Sequence, residues 1–309
     1  MKFQFKQLKI SGLGYILIVS LFFGLMPAIT QLSFKSGLTV ETMLAGRYFL
    51  TLAITWTYIW IKKIDFHIEK SQIVLLLFLG VIYIGVAVFI NQAYQYLPGA
   101  IASMLVFTYV SITVVLAILI GREKPNKIKG LCVLLSLAGI LLIAWNPTGS
   151  IQLKAIGLIS VFLAAFFYAL YALFLGDKRL SRIDDTVIVG YMLIVPTVFN
   201  TIRCLLSGSP LLPETTTQLL YILVLAVFCT FLAQLFFCKA VKLIGSSNTA
   251  IINTVEPLIA YFAGMILLQD RLMANEVIGG LLIVSSIIIL NSSAELHTKL
   301  PFGKKIIKK

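Results

Sequence analysis

The stretch AVKLIGSSNTAIINTVEPLIAYFAGMILLQDR, Ala240 to Arg271, has a weak copy 147 residues earlier, AYQYLPGAIASMLVFTYVSITVVLAILIGREK, Ala93 to Lys124. Ala93 aligns with Ala240, Ala117 with Gly264, and Glu123 with Asp270. Few residues are identical, but the plan is shared. Each copy is a helix end, a small or polar turn, a long apolar helix, then an acidic–basic pair. A second likeness joins SLFFGLMPAI, from Ser20, to LAAFFYALYAL, from Leu163, with a register ambiguous by a residue or two. The chain therefore reads as two similar halves.

What the halves are made of follows from composition. Of 309 residues, 60% are apolar and 12% charged, with a mean hydropathy of +1.01. Soluble chains carry about 25% charged residues and less apolar surface, so this is a polytopic membrane protein. A helix needs roughly 20 apolar residues to cross about 30 Å of hydrocarbon. Ten candidate spans satisfy this or approach it: 12–33, 42–61, 73–94, 100–120, 128–145, 155–175, 186–206, 219–240, 246–268 and 277–291. The first is too long for a signal-peptide core and lacks a small-x-small cleavage site, so it reads as an uncleaved helix. Five spans per half is an odd number, so the second half is expected to sit upside down relative to the first. The expected fold is an all-α membrane protein of ten transmembrane helices arranged as two five-helix inverted repeats.

Charge orients it. With the N-terminus in the cytoplasm, twenty of the 25 Lys and Arg residues fall on the cytoplasmic side. The other five are Lys35, Arg47, Lys154, Arg203 and Arg271. This positive-inside bias predicts cytoplasmic N- and C-termini. It also accounts for the net charge of +13 without any nucleic acid. The expected units are 1–149, a first five-helix repeat; 150–292, a second; and 293–309, a basic cytoplasmic tail facing solvent or lipid headgroups. Trp56, Trp60 and Trp145 lie near span ends and read as interface anchors.

At the level of these motifs the chain resembles the EamA-type transporters of the drug/metabolite transporter superfamily. The likeness rests on the 5 + 5 plan, AYQYLPGAIASML, the GREK that ends the fourth span, and Glu256-Pro257 in the ninth. It covers nearly the whole chain. It implies a ten-helix fold around a central cavity and movement of small metabolites, often outward. The chain departs from the pattern at two places. Tyr109-Val110 stands where the fourth helix commonly carries a proline, so only the second half is expected to keep that break. LQDR stands where GE followed by a basic residue is usual.

The ninth span poses the functional question, because a carboxyl and a helix breaker sit together in hydrocarbon. Thr249, Asn253, Glu256, Ala260 and Gly264 fall on one helical face. Their repeat mates are Ala102, Val106, Tyr109, Thr113 and Ala117. Mated faces of an inverted repeat tend to meet, so Glu256 and Tyr109 are expected to point into a central cavity. Pro257 frees the carbonyl of Asn253 four residues back, and irregular backbone at membrane depth is tolerated where it lines a cavity. Two readings of Glu256 stay open: a protonated structural plug, or a group that binds a substrate amine or carries a coupled proton. Further substrate-binding candidates are Gln234, mid-span in the eighth; Tyr168 and Tyr171, three apart on one face and able to stack on a cation; and Gln92, the most inward of the polar cluster Asn91, Gln92, Gln95 and Tyr96. Arg47, one turn into the second span, is either a snorkelling residue or an anion contact within the bundle.

These features point to a secondary transporter of a small cationic or zwitterionic metabolite, such as an amino acid, amine or nucleoside. Phosphorylated substrates would want a Lys/Arg cluster inside, and the apolar spans hold few bases. A Walker A motif is absent, so coupling would be to an ion gradient or to the substrate's own gradient. An enzyme is not expected. The sequence has no HExxH, its two histidines lie outside the apolar runs, and no nucleophile–base pair is visible. No cofactor or metal is expected, and the four cysteines have no ligand spacing. The expected partners are a small-molecule substrate and the lipid bilayer, and a homodimer is a candidate assembly. The expected location is the cell (cytoplasmic or inner) membrane, multi-pass. A non-transporting receptor or assembly protein of the same fold is the alternative.

Overall fold

A computed structural model describes residues 2–119, 127–144, 155–175, 177–180, 182–244, 253, 255–269 and 273–299. Trp145, Thr249, the acidic–basic ends Glu123–Lys124 and Asp270–Arg271, and the terminal stretch 300–309 lie outside these residues. The described chain is helical, with no strand among the described residues. Its helices are α1 (Lys2–Lys35), α2 (Val40–Lys62), α3 (Lys70–Tyr96), α4 (Gly99–Val106), α5 (Tyr109–Leu119), α6 (Lys127–Ala144), α7 (Ala155–Leu175), α8 (Asp185–Leu206), α9 (Thr216–Ala226), α10 (Ala233–Ile244), α11 (Glu256–Ala263) and α12 (Ala274–Lys299). Five helical segments are long and apolar enough to cross a membrane: Gly12–Lys35, Lys70–Tyr96, Ala155–Leu175, Asp185–Leu206 and Thr216–Ala240. Shorter apolar helices cover Ile101–Thr113, Gly130–Leu142, Glu256–Leu268 and Val277–Ser286. α2 has 23 residues but carries Glu41, Arg47 and Lys62.

Local chemistry sets the ends of these elements. Thr39 caps α2 by accepting from the Thr42 amide, and Lys63 closes it in a left-handed conformation. Asp184 caps α8 through the Thr186 amide, and Thr215 caps α9 through the Gln218 amide. Such caps satisfy amides that the first helical turn leaves unpaired. The outward surface is apolar: Leu119, Leu141, Leu206 and Ile266 are all strongly exposed. In water that surface would be costly, whereas in a bilayer it is the lipid-facing wall.

The packing follows the repeat. By sequence, α1 corresponds to α7, α2 to α8, α3 to α9–α10, α4–α5 to α11, and α6 to α12. α1 packs on α10, and correspondingly α7 packs on α3. α1 also packs on α11, as α7 packs on α4 and α5. The mates α2 and α8 pack together, and so do α6 and α12. Both mated pairs run antiparallel. Gly190 lies against Thr55 and Ile59, while Arg203 pairs with Glu41 at the other end of the same crossing. In the second pair, Ser136 meets Ser286 at 3.0 Å and Asn275 Nδ2 donates to the Leu142 carbonyl at 3.0 Å. The repeat offset maps the Ser136–Ser286 contact onto Ile283 and Gly139. That contact is also made: a Cβ built on Gly139 would lie 2.8 Å from the Ile283 side chain and 2.5 Å from the Gly279 carbonyl. Only glycine lets the two backbones approach this closely.

One expectation is corrected. The break in the mid-membrane helix is not confined to the half with the proline. α4 ends at Val106 and α5 starts at Tyr109, with a turn at Phe107–Thr108 between them. In the second half Val255 is a turn residue and α11 starts at Glu256. The two distal segments therefore begin at repeat mates, Tyr109 and Glu256. Pro257 stands at the start of α11, where a missing N–H costs nothing and the fixed φ suits a helix. The proline fits a break that the first half makes without one.

Candidate functional site

Glu256 begins α11 beside α1, where the helices touch. A Cβ on Gly24 would lie 2.7 Å from Ile259 and 3.0 Å from the Glu256 carbonyl oxygen. Asn253 is buried and donates from Nδ2 to Glu256 Oε2 at 2.9 Å. Ser20 of α1 lies 3.0 Å from Asn253 Oδ1 and from the Ile16 carbonyl, with its hydroxyl directed at both. Ser20 and Asn253 thus hold the Glu256 carboxyl in one orientation. On the predicted face Asn253, Ala260 and Gly264 are buried and Glu256 is half-buried, whereas Leu258, Phe262 and Ile266 face outward.

Three tyrosines feel the charge of Glu256. Tyr94, Tyr109 and Tyr168 all lie within electrostatic reach of its carboxyl. Tyr109 and Tyr168 stack, with ring centroids 4.2 Å apart and planes 30° apart. The row continues from Tyr168 to Tyr171 at 6.0 Å, Tyr171 to Tyr83 at 5.6 Å, and Tyr83 to Tyr48 at 6.1 Å. Ring edges and faces at these spacings attract one another and present faces to a cation. The row ends at Arg47, whose Cζ lies 5.7 Å from the Tyr48 ring centroid. Tyr94 is within electrostatic reach of both Glu256 and Arg47.

Arg47 does not snorkel. It is 3% exposed. Its Nε donates to Thr230 Oγ1 at 2.7 Å and its Nη2 points at Met26 Sδ at 3.1 Å. Thr230 is placed by a π-helical turn, Val227–Leu232, between α9 and α10. Its hydroxyl donates to the Leu225 carbonyl at 2.8 Å, which leaves its lone pairs for Arg47. Just before the turn, the Ala226 carbonyl accepts from the Thr51 hydroxyl at 3.2 Å. Such turns recur at functional sites, because the extra residue re-aims side chains and carbonyls.

The remaining candidates are less engaged. Gln92 and Gln234 are both half-buried. Within the polar cluster at the end of α3 it is Asn91 that is buried, donating from Nδ2 to the Ala87 carbonyl while its Oδ1 has no partner. Sequence reasoning did not single out Gln31. Its Nε2 donates to the Tyr94 and Leu97 carbonyls, each at 2.9 Å, and its Oε1 accepts from the Gly99 amide at 3.1 Å. It therefore latches α1 to the α3–α4 junction, next to Tyr94. Thr230 was also missed, since a threonine in an apolar run carries no signal of a π turn.

The two ends of the α2–α8 crossing are closed differently. At one end Arg203 pairs with Glu41, and Thr42 Oγ1 donates to the Pro210 carbonyl at 2.6 Å. At the other, Trp56 packs edge-on against Phe66 and Tyr191, and the Tyr191 hydroxyl donates to the Phe66 carbonyl at 3.3 Å. A groove of about 680 Å³ opens beside this second end, lined by Trp56, Trp60, Lys63, Phe66 and His67. It is open to the surface and shares no residue with the Glu256 cluster.

The fold and the sequence each resemble known proteins. A solved crystal structure superposes with a TM-score of 0.65 at 14% identity, over 94% of this chain and 99% of the other, a likeness of fold. An uncharacterized transporter of Synechocystis sp. is 26% identical over 219 residues, 70% of this chain. The matched region is 63% of that relative's length. The uncharacterized transporter YvbV of Bacillus subtilis is 27% identical over 210 residues, 68% of each chain. The EamA-like transporter family profile matches residues 10–145 and again 155–292. With two family repeats covering most of its length, this multi-pass membrane protein belongs to the EamA-like transporter family.

Proposed function

We propose that this protein is a secondary transporter of a small cationic or zwitterionic metabolite, working by alternating access. One observation carries the reading. Glu256 stands at a helix break, oriented by Asn253, and its charge is felt by Tyr94, Tyr109 and Tyr168, two of which stack on each other. A carboxyl with aromatic rings in its neighbourhood suits a cationic group.

The proposed architecture is ten spans in two inverted five-helix repeats, residues 1–149 and 150–292, with a basic tail at 293–309. The antiparallel mates α2–α8 and α6–α12, and the doubled contacts about the α6–α12 seam, support inversion. The positive-inside bias supports cytoplasmic termini. Two related halves provide two conformations of similar energy, each open to one side. The proposed substrate-binding residues are Glu256, Asn253, Tyr109, Tyr168, Tyr171, Arg47 and the half-buried Gln92 and Gln234. The setting is the cell membrane, and the family resemblance adds outward movement as the direction.

The test is flux in reconstituted liposomes. Uptake or counterflow of amines and amino acids, lost in Glu256→Gln with the fold intact, supports the reading. Absence of flux for every amine, amino acid and nucleoside would sink it and leave a non-transporting receptor or assembly role.

A further inference from the structure

The groove at the second end of the α2–α8 crossing has no part in the transport reading, and its shape follows from how α2 ends. The Lys63 amide donates to the Trp60 carbonyl at 3.2 Å, and the Ile64 amide donates to the Ile59 carbonyl at 3.0 Å. This pair of bonds turns the chain back through a left-handed residue, a place usually taken by glycine. Here it is Lys63, at φ 51°. The reversal lays Phe66 edge-on against Trp56, with ring centroids 5.8 Å apart, and His67 stacks on Phe66 at 4.7 Å. The groove is therefore walled by rings, and Lys63 and Asp65 also line it.

Two opposite charges thus border one cavity. They stand two residues apart, so their backbones are separated by no more than about 7 Å, within reach of one small headgroup. The His67 amide, and then the His67 ring, each 3.0 Å from Asp65 Oδ1, hold the Asp65 carboxyl below the usual carboxylate range. Both contacts fall on Oδ1, and Oδ2 has no partner among the described bonds. Lys63 enters none of the ion pairs among the described residues. Beyond the charged rim the groove meets an exposed face of α2. Phe49, Ala53, Thr57 and Trp60 are exposed and share that face. They extend about 16 Å along the helix, away from the rim. Trp60 and Ile61, 80% and 64% exposed, stand next to Lys62 and Lys63. Tryptophan and lysine at the end of an apolar span mark the boundary between hydrocarbon and headgroups.

We infer that this groove is a lipid site whose occupant is a phospholipid with a zwitterionic, primary-ammonium headgroup, the chemistry of phosphatidylethanolamine. The phosphate lies on Lys63, the ammonium on Asp65, and an acyl chain follows the exposed face from Trp60 toward Phe49. With the orientation that the positive-inside bias implies, the lipid belongs to the cytoplasmic leaflet. An anionic headgroup would meet Lys63 but be repelled by Asp65. A choline headgroup would bring Asp65 no N–H to accept, because its nitrogen carries only methyl groups. The inference also accounts for a lysine at position 63. Glycine would make the same turn without strain, whereas lysine keeps a cation at the rim. The site bears on the crossing as well. Trp56 packs on Tyr191 of α8, and the Tyr191 hydroxyl donates to the Phe66 carbonyl, so an occupied groove braces this end.

The reporters are already in place. The chain has three tryptophans, and Trp56 and Trp60 line the groove. In a Trp145→Phe background only these two fluoresce. The full chain is reconstituted in phosphatidylcholine vesicles with rising fractions of one brominated lipid, whose bromines quench nearby tryptophan. The brominated chains are kept the same and the headgroup is phosphatidylethanolamine, phosphatidylcholine or phosphatidylglycerol. The ethanolamine lipid should reach half-maximal quenching at a fraction about threefold lower than either of the others, as fits a contact between exposed charges. Asp65→Asn should abolish that advantage. Lys63→Gly should weaken quenching by the ethanolamine lipid while the melting temperature holds or rises, since glycine suits the left-handed turn. A merely structural role for Lys63 would move the two together. Lys62, exposed but outside the groove lining, is the control, and Lys62→Gln should leave the ranking unchanged. Melting curves establish that the variants fold, and should one fail, the ranking of the three headgroups on the Trp145→Phe chain decides alone. Equal quenching by all three shows annular lipid only and overturns the inference. Phosphatidylglycerol ahead of phosphatidylethanolamine overturns it too, as does an ethanolamine preference that survives both Asp65→Asn and Lys63→Gly.

Discussion

Tyr109 and Glu256, repeat mates 147 residues apart, each stand first in the distal segment of a broken helix, and Tyr109 lies within electrostatic reach of the Glu256 carboxyl. The halves place the same backbone event at the same repeat position and put different chemistry on it. A phenol and a carboxyl therefore stand at matched positions where the sequence would otherwise repeat itself. The break is architectural, and Pro257 accompanies it. Pro257→Ala is accordingly expected to change stability by no more than about 0.5–1 kcal/mol and to keep most of the flux. A melting curve and a flux assay check this. Loss of the fold or of transport on this single change would show that the proline makes the break.

Asn253 orients Glu256, and Ser20 orients Asn253. Asn253→Ala removes the donor to Glu256 and should cost about 1–3 kcal/mol in stability or substrate affinity. Ser20→Ala should cost less, since its hydroxyl also has the Ile16 carbonyl as a partner. In the double variant the two effects should fall short of their sum by about 0.5–1 kcal/mol, because the residues share one network. Full additivity would separate Ser20 from the site.

Gln31 makes three hydrogen bonds that tie α1 to the α3–α4 junction. Gln31→Leu keeps the bulk and strands two carbonyls and an amide beside Tyr94. A loss of about 2–4 kcal/mol follows from leaving several buried backbone groups unmet. Detergent melting temperatures measure it, with Gln31→Glu as the control that keeps an acceptor for Gly99.

Part of this architecture was legible in the sequence because it is periodic. Apolar spans, the repeat, and the helical face of Asn253, Glu256, Ala260 and Gly264 all depend on spacing. What did not show depends on backbone detail that no residue type announces. The turn at Phe107–Thr108 has neither glycine nor proline. The π turn that aims Thr230 lies in VFCTFL, an unremarkable apolar run. Arg47 sits one turn from a span end, where the usual expectation is a side chain reaching the headgroups. Its burial follows from Met26 and Thr230 arriving from other helices. Gln92 and Asn91 are neighbours in an amide-rich cluster, and which of them turns inward is decided by helix rotation, not by composition.

The α6–α12 seam allows a direct test of close packing. A Cβ on Gly139 would lie 2.5 Å from the Gly279 carbonyl oxygen, and backbone cannot move aside as a flexible side chain can. Gly139→Ala should destabilise by about 1–3 kcal/mol. Gly130, with open space around it, is the matched control, where the same change should be neutral or slightly stabilising because alanine favours the helix.

The Glu41–Arg203 pair ties α2 to α8 at one end of their crossing, and Arg203 Nη1 is buried without a partner. Glu41→Gln leaves the guanidinium uncompensated, which costs the closed arrangement about 1–3 kcal/mol. If that end opens and closes during transport, the change should shift its equilibrium toward the open form roughly 5- to 100-fold. A native reporter stands beside it. Cys204 is fully buried, with its thiol directed at the Ser209 and Pro210 carbonyls. In a background where the other three cysteines are replaced by serine, maleimide labelling of Cys204 should speed up in Glu41→Gln. The charge swap Glu41→Arg with Arg203→Glu should slow it again by re-forming the pair. Labelling that is unchanged in Glu41→Gln while flux is also unchanged would make the ion pair a static tie, and the moving end of the crossing would then be the aromatic one at Trp56 and Tyr191.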